Sequence, residues 1–199
     1  MGHLISIAGC SGSGKSTLAY SLQERFPMLV EVVYFTDYQK PIEQIPFYQE
    51  MRNWDCPEAI DFDRLLSDLN LLKNGKDVEI MTKNERHNPT YPKDWKRIPY
   101  VIRAKDIIIV EGYMALVDDR VRRLYDLSIF LDLCSEERMK RRRTKKQSQE
   151  YIERILIPMQ EIHVEPTKRL ADIVIDIKEH GTGDVQEQIL AVFKAKGFL

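Results

Sequence analysis

The chain has 199 residues, 43% of them hydrophobic, which suits one domain with a well-buried core. Its 30 lysines and arginines nearly balance 31 aspartates and glutamates, giving a formal net charge of −1. That balance argues against a protein built to coat nucleic acid or an anionic membrane, so any basic site must be local.

The three cysteines, Cys10, Cys56 and Cys134, are far apart and lack C-x-x-C spacing. A disulfide framework or zinc cluster is not indicated, and a reducing compartment is the simpler reading. No apolar run has the length of a membrane span, and the first residues read as entry to a strand, not as a signal peptide. The expectation is a cytoplasmic protein that contacts neither membrane nor nucleic acid.

In chain order, the apolar run at 4–8 fits a short strand buried on both faces. Gly9-Cys10-Ser11-Gly12-Ser13-Gly14-Lys15-Ser16-Thr17 follows, and a helical pattern follows that. The spacing G-x-x-x-x-G-K-S between strand and helix is a phosphate-binding loop. Glycines let the backbone curl so that successive N–H groups point at a polyphosphate, and the helix adds its positive end. Gly9, Ser11, Gly12, Ser13, Gly14, Lys15, Ser16 and Thr17 are therefore expected to hold a nucleoside triphosphate. Lys15 would reach the outer phosphates, and the Ser16 hydroxyl would meet Mg²⁺.

Residues 15–26 read as a helix stopped by Pro27. The β-branched and aromatic run 30–35 reads as a second strand. Asp37 comes just after it, at the sheet edge where ligand-binding groups gather. It is a candidate to accept a proton from an attacking hydroxyl or to help hold the metal. Residues 36–54 look like a surface loop with at most one short helix. The period returns over 57–73, with Asp55 or Cys56 placed to start that helix and Asn74-Gly75 to stop it. Asp55 can cap this helix or accept two hydrogen bonds from vicinal sugar hydroxyls, and the residues alone leave both readings open.

Residues 78–81 suit a short strand, whereas 82–100 look irregular, a length of loop more often functional than idle. The run 107–110 is the most strand-like in the chain. Glu111 after it is the candidate second metal ligand, and Gly112 fits a tight turn. A short helix is expected at 118–125 and a strand at 127–131. Ser135 then caps a basic helix running to about Lys146. Residues 149–159 read as helical with a break at Pro158, 173–176 as a last strand and 185–196 as a last helix. Strands alternating with helices predict a three-layer α/β fold with a parallel sheet.

In the basic stretch 138–146, Arg138, Arg141, Arg142 and Lys145 share one helical face. A solvated face and a nucleic-acid patch are the alternatives to a lid whose arginines clamp phosphates. The near-zero net charge and the loop at 9–17 favour the lid.

Several segments, in order, carry a resemblance to the uridine kinase and phosphoribulokinase-like family of P-loop kinases, which includes nicotinamide riboside kinases. Residues 9–17 resemble the family's phosphate loop, and Thr36-Asp37-Tyr38-Gln39-Lys40-Pro41 resembles its "D-D-x-Y-K-P" segment. Residues 54–61 resemble "F-D-H-P-D-A-F-D", and Val110-Glu111-Gly112 resembles the "x-E-G" strand end. Arg138, Arg141 and Arg142 match an arginine-rich lid, and residues 165–175 resemble "E-P-T-K-x-x-A-D-x-I-I".

The resemblance implies one kinase domain over 1–199, with a lid at about 135–150 and substrate-side insertions at about 36–60 and 80–100. It implies ATP- and Mg²⁺-dependent transfer to a hydroxyl of a small sugar-containing acceptor, most simply uridine or cytidine. A nicotinamide riboside or other small-metabolite kinase is the alternative, and a regulatory ATPase acting through a protein partner is the alternative of another class. Oligomeric state, including a homo-oligomer, is left open.

By the resemblance, Asp37 is base or metal partner, Asp55 binds ribose hydroxyls and Glu111 binds metal. Arg138 and Arg142 would join Lys15 and Asp37 in catalysis, with Arg141 on the nucleotide. Tyr38, Arg86 and His87 would face the acceptor. The chain departs from the family pattern at 80–87, which lacks the "Y-D" pair, at Thr36, which stands in place of the first Asp, and in a lid without "R-G-R".

Overall fold

The computed structural model describes residues 2–142, 148–178 and 180–199. In chain order these residues form β1 (His3–Ala8), α1 (Lys15–Arg25), β2 (Val30–Tyr34), β3 (Phe47–Tyr48), β4 (Met51–Arg52) and α2 (Phe62–Lys73). Next come β5 (Val78–Thr82), α3 (Tyr91–Asp94), β6 (Ile98–Ile102), β7 (Ile107–Glu111), α4 (Asp119–Arg122) and β8 (Leu127–Asp132). The order ends with α5 (Ser135–Arg142), α6 (Gln149–Tyr151), α7 (Ile157–Met159), β9 (Ile173–Asp176) and α8 (Thr182–Ala195).

Five strands form a parallel sheet in the order β2-β7-β1-β8-β9. Alternate residues of each strand face opposite layers. Leu4, Val33, Ile108, Val110 and Phe130 pack with Leu65, Leu69 and Leu72 of α2. Ile5, Ile7, Val32, Ile107, Ile109, Ile129 and Leu131 pack with Leu18 and Leu22 of α1 and with Val185, Ile189 and Phe193 of α8. Both faces are therefore dry, which is why the strands read as continuous apolar runs. The expected three-layer α/β arrangement is the observed one.

All five strands point the same way, so their carboxyl ends share one edge. The register sets Glu111 beside Ile7 and Tyr34 on that edge. Strand order reverses around β1, and the crevice there is where open α/β sheets bind ligands.

The structure corrects several local expectations. Asp61, not Asp55 or Cys56, caps α2, its side chain accepting from the Arg64 N–H at 3.0 Å. Pro57 instead opens a separate 3₁₀ turn, Pro57–Ala59. Ser135 lies inside the first turn of α5, because the Arg138 N–H bonds back to the Cys134 carbonyl.

The chain stays helical from 149 to 170 instead of breaking at Pro158. Wide π turns at Ile152–Leu156 and Gln160–Val164 flank α7 and accommodate a residue that lacks an N–H. The stretch 82–100 is not wholly irregular, since β6 pairs antiparallel with β5. Pro99 hid that strand from a propensity reading, and such a residue is tolerated where no ladder donor is needed. The loop 36–54 holds the small hairpin β3–β4, whose turn residues Gln49 and Glu50 have φ of 48° and 65°. Of the basic stretch, 143–147 lie outside the described residues.

Gly112, just past β7, fits closely against the segment that follows β2. A Cβ placed there would stand 2.2 Å from the Phe35 Cβ. Phe35 begins the 3₁₀ turn that carries Asp37. We expect Gly112→Ala to cost about 1–3 kcal/mol through forced repacking. It should also lower turnover by shifting Asp37. Thermal unfolding alongside steady-state kinetics checks both effects.

Candidate active site

The loop after β1 ends in a helix whose N-terminus is left open. Gly14 is the residue before α1, no side chain caps the helix, and its first turn holds no acid. The first helical bond runs from the Leu18 N–H to the Gly14 carbonyl at 3.0 Å. The N–H groups of Lys15, Ser16 and Thr17 therefore have no carbonyl one turn back to bond. An end so arranged attracts anions.

Gly12 has φ of +91°, and a Cβ there would lie 2.9 Å from the Arg138 carbonyl oxygen, so the loop runs against the base of α5. The Ser13 Oγ is buried without a partner among the described residues. Such an orphaned hydroxyl within a curl of N–H groups fits a bound phosphate. The Lys15 ammonium folds back to donate to the Cys10 carbonyl at 3.0 Å. Cys10 itself is structural: burial pushes its thiol up to about 12, and it donates to Glu165 at 3.2 Å.

Beside the loop, the Ser16 Oγ donates to the Glu111 Oε1 at 2.9 Å. Two hard oxygen donors thus share one point at the helix start. Mg²⁺ takes one or two protein oxygens and completes its shell with phosphate oxygens and water, so this pair fits it. Glu111 is the last residue of β7, not the first after it.

Asp37 is buried, and both of its carboxylate oxygens are held. The Thr82 hydroxyl donates to one at 2.7 Å and the Lys83 N–H to the other at 2.7 Å. Arg97 braces the same segment by donating to the carbonyls of Asp37 and Gln39 at 2.7 and 2.8 Å. Burial nevertheless raises the Asp37 pKa above its ordinary value, outweighing those donors and the charges of Arg97 and Lys83.

Asp55 is buried nearby, accepting from the Tyr151 hydroxyl at 2.7 Å. Tyr151 also accepts from the Trp54 N–H at 3.1 Å. Asp61, and not Asp55, caps α2. Between the carboxylates lies Lys83, whose ammonium bonds Gln39 and stands 5.4 Å from the centre of the Trp54 ring. Burial first, then Arg97, lowers its pKa to about 8, while Asp37 and Asp55 pull the other way.

Other expected residues are placed differently. Tyr38 is buried, its hydroxyl donating to Asp68 of α2 at 3.1 Å. Arg86 pairs with Glu24 of α1 at 2.7 Å and lies over the Tyr20 ring. His87 stacks on Tyr100 at 4.0 Å and packs against Tyr34, and burial lowers its pKa. Among the described residues no hydrogen bond or ring contact joins Arg86 or His87 to Asp37 or Asp55.

Arg138 is buried, donating to Gln160 at 2.5 Å and Glu165 at 2.9 Å beneath the phosphate loop. Arg141 is exposed on α5 near Glu137, and the Arg142 side chain lies outside what the structure describes.

The model of the phosphoribulokinase/uridine kinase family matches residues 4–181. A uridine kinase of Geobacillus sp. (strain WCH70) is 33% identical, covering 98% of this chain and 97% of the relative. The chain belongs to the phosphoribulokinase/uridine kinase family. Another uridine kinase, of Clostridium botulinum (strain Okra / Type B1), is 34% identical over 86% of each chain. Among solved structures, one described as a possible uridine kinase from Bacillus stearothermophilus aligns with a TM-score of 0.64. It has 18% identity and covers 88% of this chain and 90% of that one. Shikimate kinase from Acinetobacter baumannii aligns at 0.53 with 16% identity, covering 98% and 95%. These two likenesses concern the fold. Among the described residues no helix is long and apolar enough to cross a membrane.

In this kinase, sequence reasoning missed Gln39, Trp54, Thr82, Lys83, Arg97, Tyr113 and Tyr151 around the two aspartates. Thr82 and Lys83 fall within the segment that departs from the family pattern, and only the tertiary contacts bring them to Asp37.

Because folding disfavours the ionised form of Asp37, stability is lost as pH rises from the ordinary carboxylate value through the raised one. Asp37→Asn should therefore unfold no more easily than the parent at neutral pH, as Asn keeps an acceptor for the Lys83 N–H. Its turnover should fall about 10²–10⁴-fold if the carboxylate takes a proton, with ATP binding kept. In the parent, the acid limb of kcat/KM should sit above the usual aspartate range. Turnover, nucleotide titration and melting of the one variant test all three.

Proposed function

We propose that this chain transfers the γ-phosphoryl group of ATP to a hydroxyl of a nucleoside, of uridine or cytidine type. The observation that carries the reading is one shared edge. The open helix end, the Ser16–Glu111 pair and the buried Asp37 all follow carboxyl ends of adjacent strands. The relatives named as uridine kinases, aligned over nearly the whole chain, support the nucleoside as acceptor.

In this reading the loop 9–17 cradles the phosphates, with Lys15 swinging from the Cys10 carbonyl to the outer ones. Ser16 and Glu111 would hold Mg²⁺, which would supply positive charge against the phosphate oxygens. Asp37 orients the attacking hydroxyl and takes its proton; its raised pKa makes it a better base than an exposed aspartate. Asp55, fixed by Tyr151, accepts from vicinal hydroxyls of the sugar. Arg138 braces the base of α5 beside the phosphate loop, and Arg141 of the same helix would bind the nucleotide. Closure of the lid, about 135–150, would keep water from the phosphoryl group. The whole of 1–199 would work as one kinase domain.

A second reading, a kinase for nicotinamide riboside or another small metabolite, is favoured by Lys83, which stands in the segment where uridine kinases carry a different pattern.

A coupled assay of ADP release should show turnover rising above the ATP-only rate with uridine or cytidine. Nicotinamide riboside, pantothenate and ribulose 5-phosphate serve as the other arms. Removal of Mg²⁺ by chelation should abolish transfer, and Lys15→Ala should reduce it by at least about 10²-fold. If none of these acceptors raises the rate, and a protein partner does, the regulatory ATPase replaces the kinase reading.

A further inference from the structure

One oxygen of Asp37 is met by a hydroxyl that is itself held from behind. Thr82 ends β5 and is fully buried. Its Oγ1 accepts from the Asn84 N–H at 3.0 Å and donates to the Asp37 Oδ2 at 2.7 Å. A hydroxyl carries one proton, and a backbone N–H can only donate. The Asn84 bond therefore occupies a lone pair of Thr82, and the single proton is left for Asp37. The segment around this hydroxyl is pinned in turn. Asn88 is buried and donates to the carbonyls of Thr82 at 3.3 Å and Lys96 at 2.8 Å. Asn84 accepts from the Arg86 N–H at 2.9 Å, which turns its amide NH₂ to the Tyr20 hydroxyl of α1 at 3.1 Å.

The Lys83 N–H meets the other oxygen, Oδ1, at 2.7 Å, so each oxygen of Asp37 has a donor assigned. The terminal torsion of an aspartate is broad, and these two donors set the plane of this one. An ionised carboxylate offers about four lone pairs, so each oxygen keeps one for an incoming hydroxyl. We infer that Thr82 is a positioning residue of the transfer, its hydroxyl fixing the Asp37 carboxylate so that a free lone pair meets the acceptor hydroxyl. This rests on the kinase reading above, in which Asp37 takes the proton, and sharpens it. In this role Thr82 touches no substrate and acts through Asp37. It lies within 80–87, where this chain lacks the "Y-D" pair of the family, so the resemblance does not supply this donor.

The test measures kcat and KM with ATP and uridine in the parent, Thr82→Val and Thr82→Ser. It then repeats Thr82→Val in an Asp37→Asn background under single-turnover conditions. Thr82→Val should lower kcat about 10–100-fold, the range for a hydrogen bond to a charged group, with the KM for ATP within about 2-fold. Thr82→Ser keeps the hydroxyl and should stay within about 3-fold of the parent, a rescue that loss of packing alone would not show. With Asp37 already replaced, removing the hydroxyl should cost less than about 3-fold, because a residue acting through Asp37 has nothing left to act on. Thr82→Ala takes the place of Thr82→Val in both backgrounds if melting shows that the valine variant does not fold. A valine variant as fast as the parent, a serine variant as slow as the valine one, or an equal loss in both backgrounds overturns the positioning role and leaves the kinase reading intact. If uridine does not raise the parent's turnover above the ATP-only rate, the nucleoside reading itself falls, and this inference with it.

Discussion

The structure depends on one helix end that is left unsatisfied. A helix of 11 residues buried against a sheet normally has its first N–H groups met by a capping side chain or its dipole eased by a first-turn acid. Gly14 gives α1 neither, and the loop before it is held in place by β1 on one side and the base of α5 on the other. The helix end therefore carries a standing electrostatic need that a phosphate meets. Everything else on that edge of the sheet is arranged around it. The parallel register brings Glu111 to Ser16, and the close contact of Gly112 with Phe35 fixes where the turn after β2 can place Asp37.

Around Asp37 and Lys83 the opposite principle holds, with charges kept partly desolvated. Asp37 has both oxygens bonded and is still disfavoured as an anion, because burial outweighs its donors. Lys83 is disfavoured as a cation for the same reason. Two such groups side by side are costly to the fold and useful to a reaction that needs a proton acceptor and little water. Arg97 limits that cost: its bonds to the carbonyls of Asp37 and Gln39 hold the segment in shape without pairing either carboxylate directly.

How far the sequence could be read follows from which signals are local. β1, β7 and β8 were legible because strands buried on both faces are apolar at every position, and the phosphate loop was legible because its glycines have a fixed spacing. Glu111 was found because it ends the most apolar strand in the chain. The N-cap of α2 was misplaced because Asp55 and Asp61 both precede helix-like patterns, and only coordinates show that Pro57–Ala59 is a separate turn. Tyr38 was assigned to an acceptor by the family resemblance. Successive residues of a 3₁₀ turn point in different directions, and Tyr38 goes into the core with Asp68. Thr82, Lys83 and Arg97 were out of reach because a β-hairpin interrupted by Pro99 brings them to Asp37 over separations of 45, 46 and 60 residues.

The two halves of the site are joined through the helical run that follows α5, and this gives the wide turns around Pro158 a structural reason. At one end of that run, Tyr151 bonds Asp55 and Trp54; at the other, Gln160 and Glu165 bond Arg138. A regular α-helix of fixed pitch with a proline inside would lose a bond and kink. The π turns instead absorb the missing N–H and keep both ends in register with their partners. Glu165 also accepts from the Cys10 thiol of the phosphate loop. One helical run thus touches the phosphate loop and Arg138 through Glu165 and Gln160, and Asp55 through Tyr151.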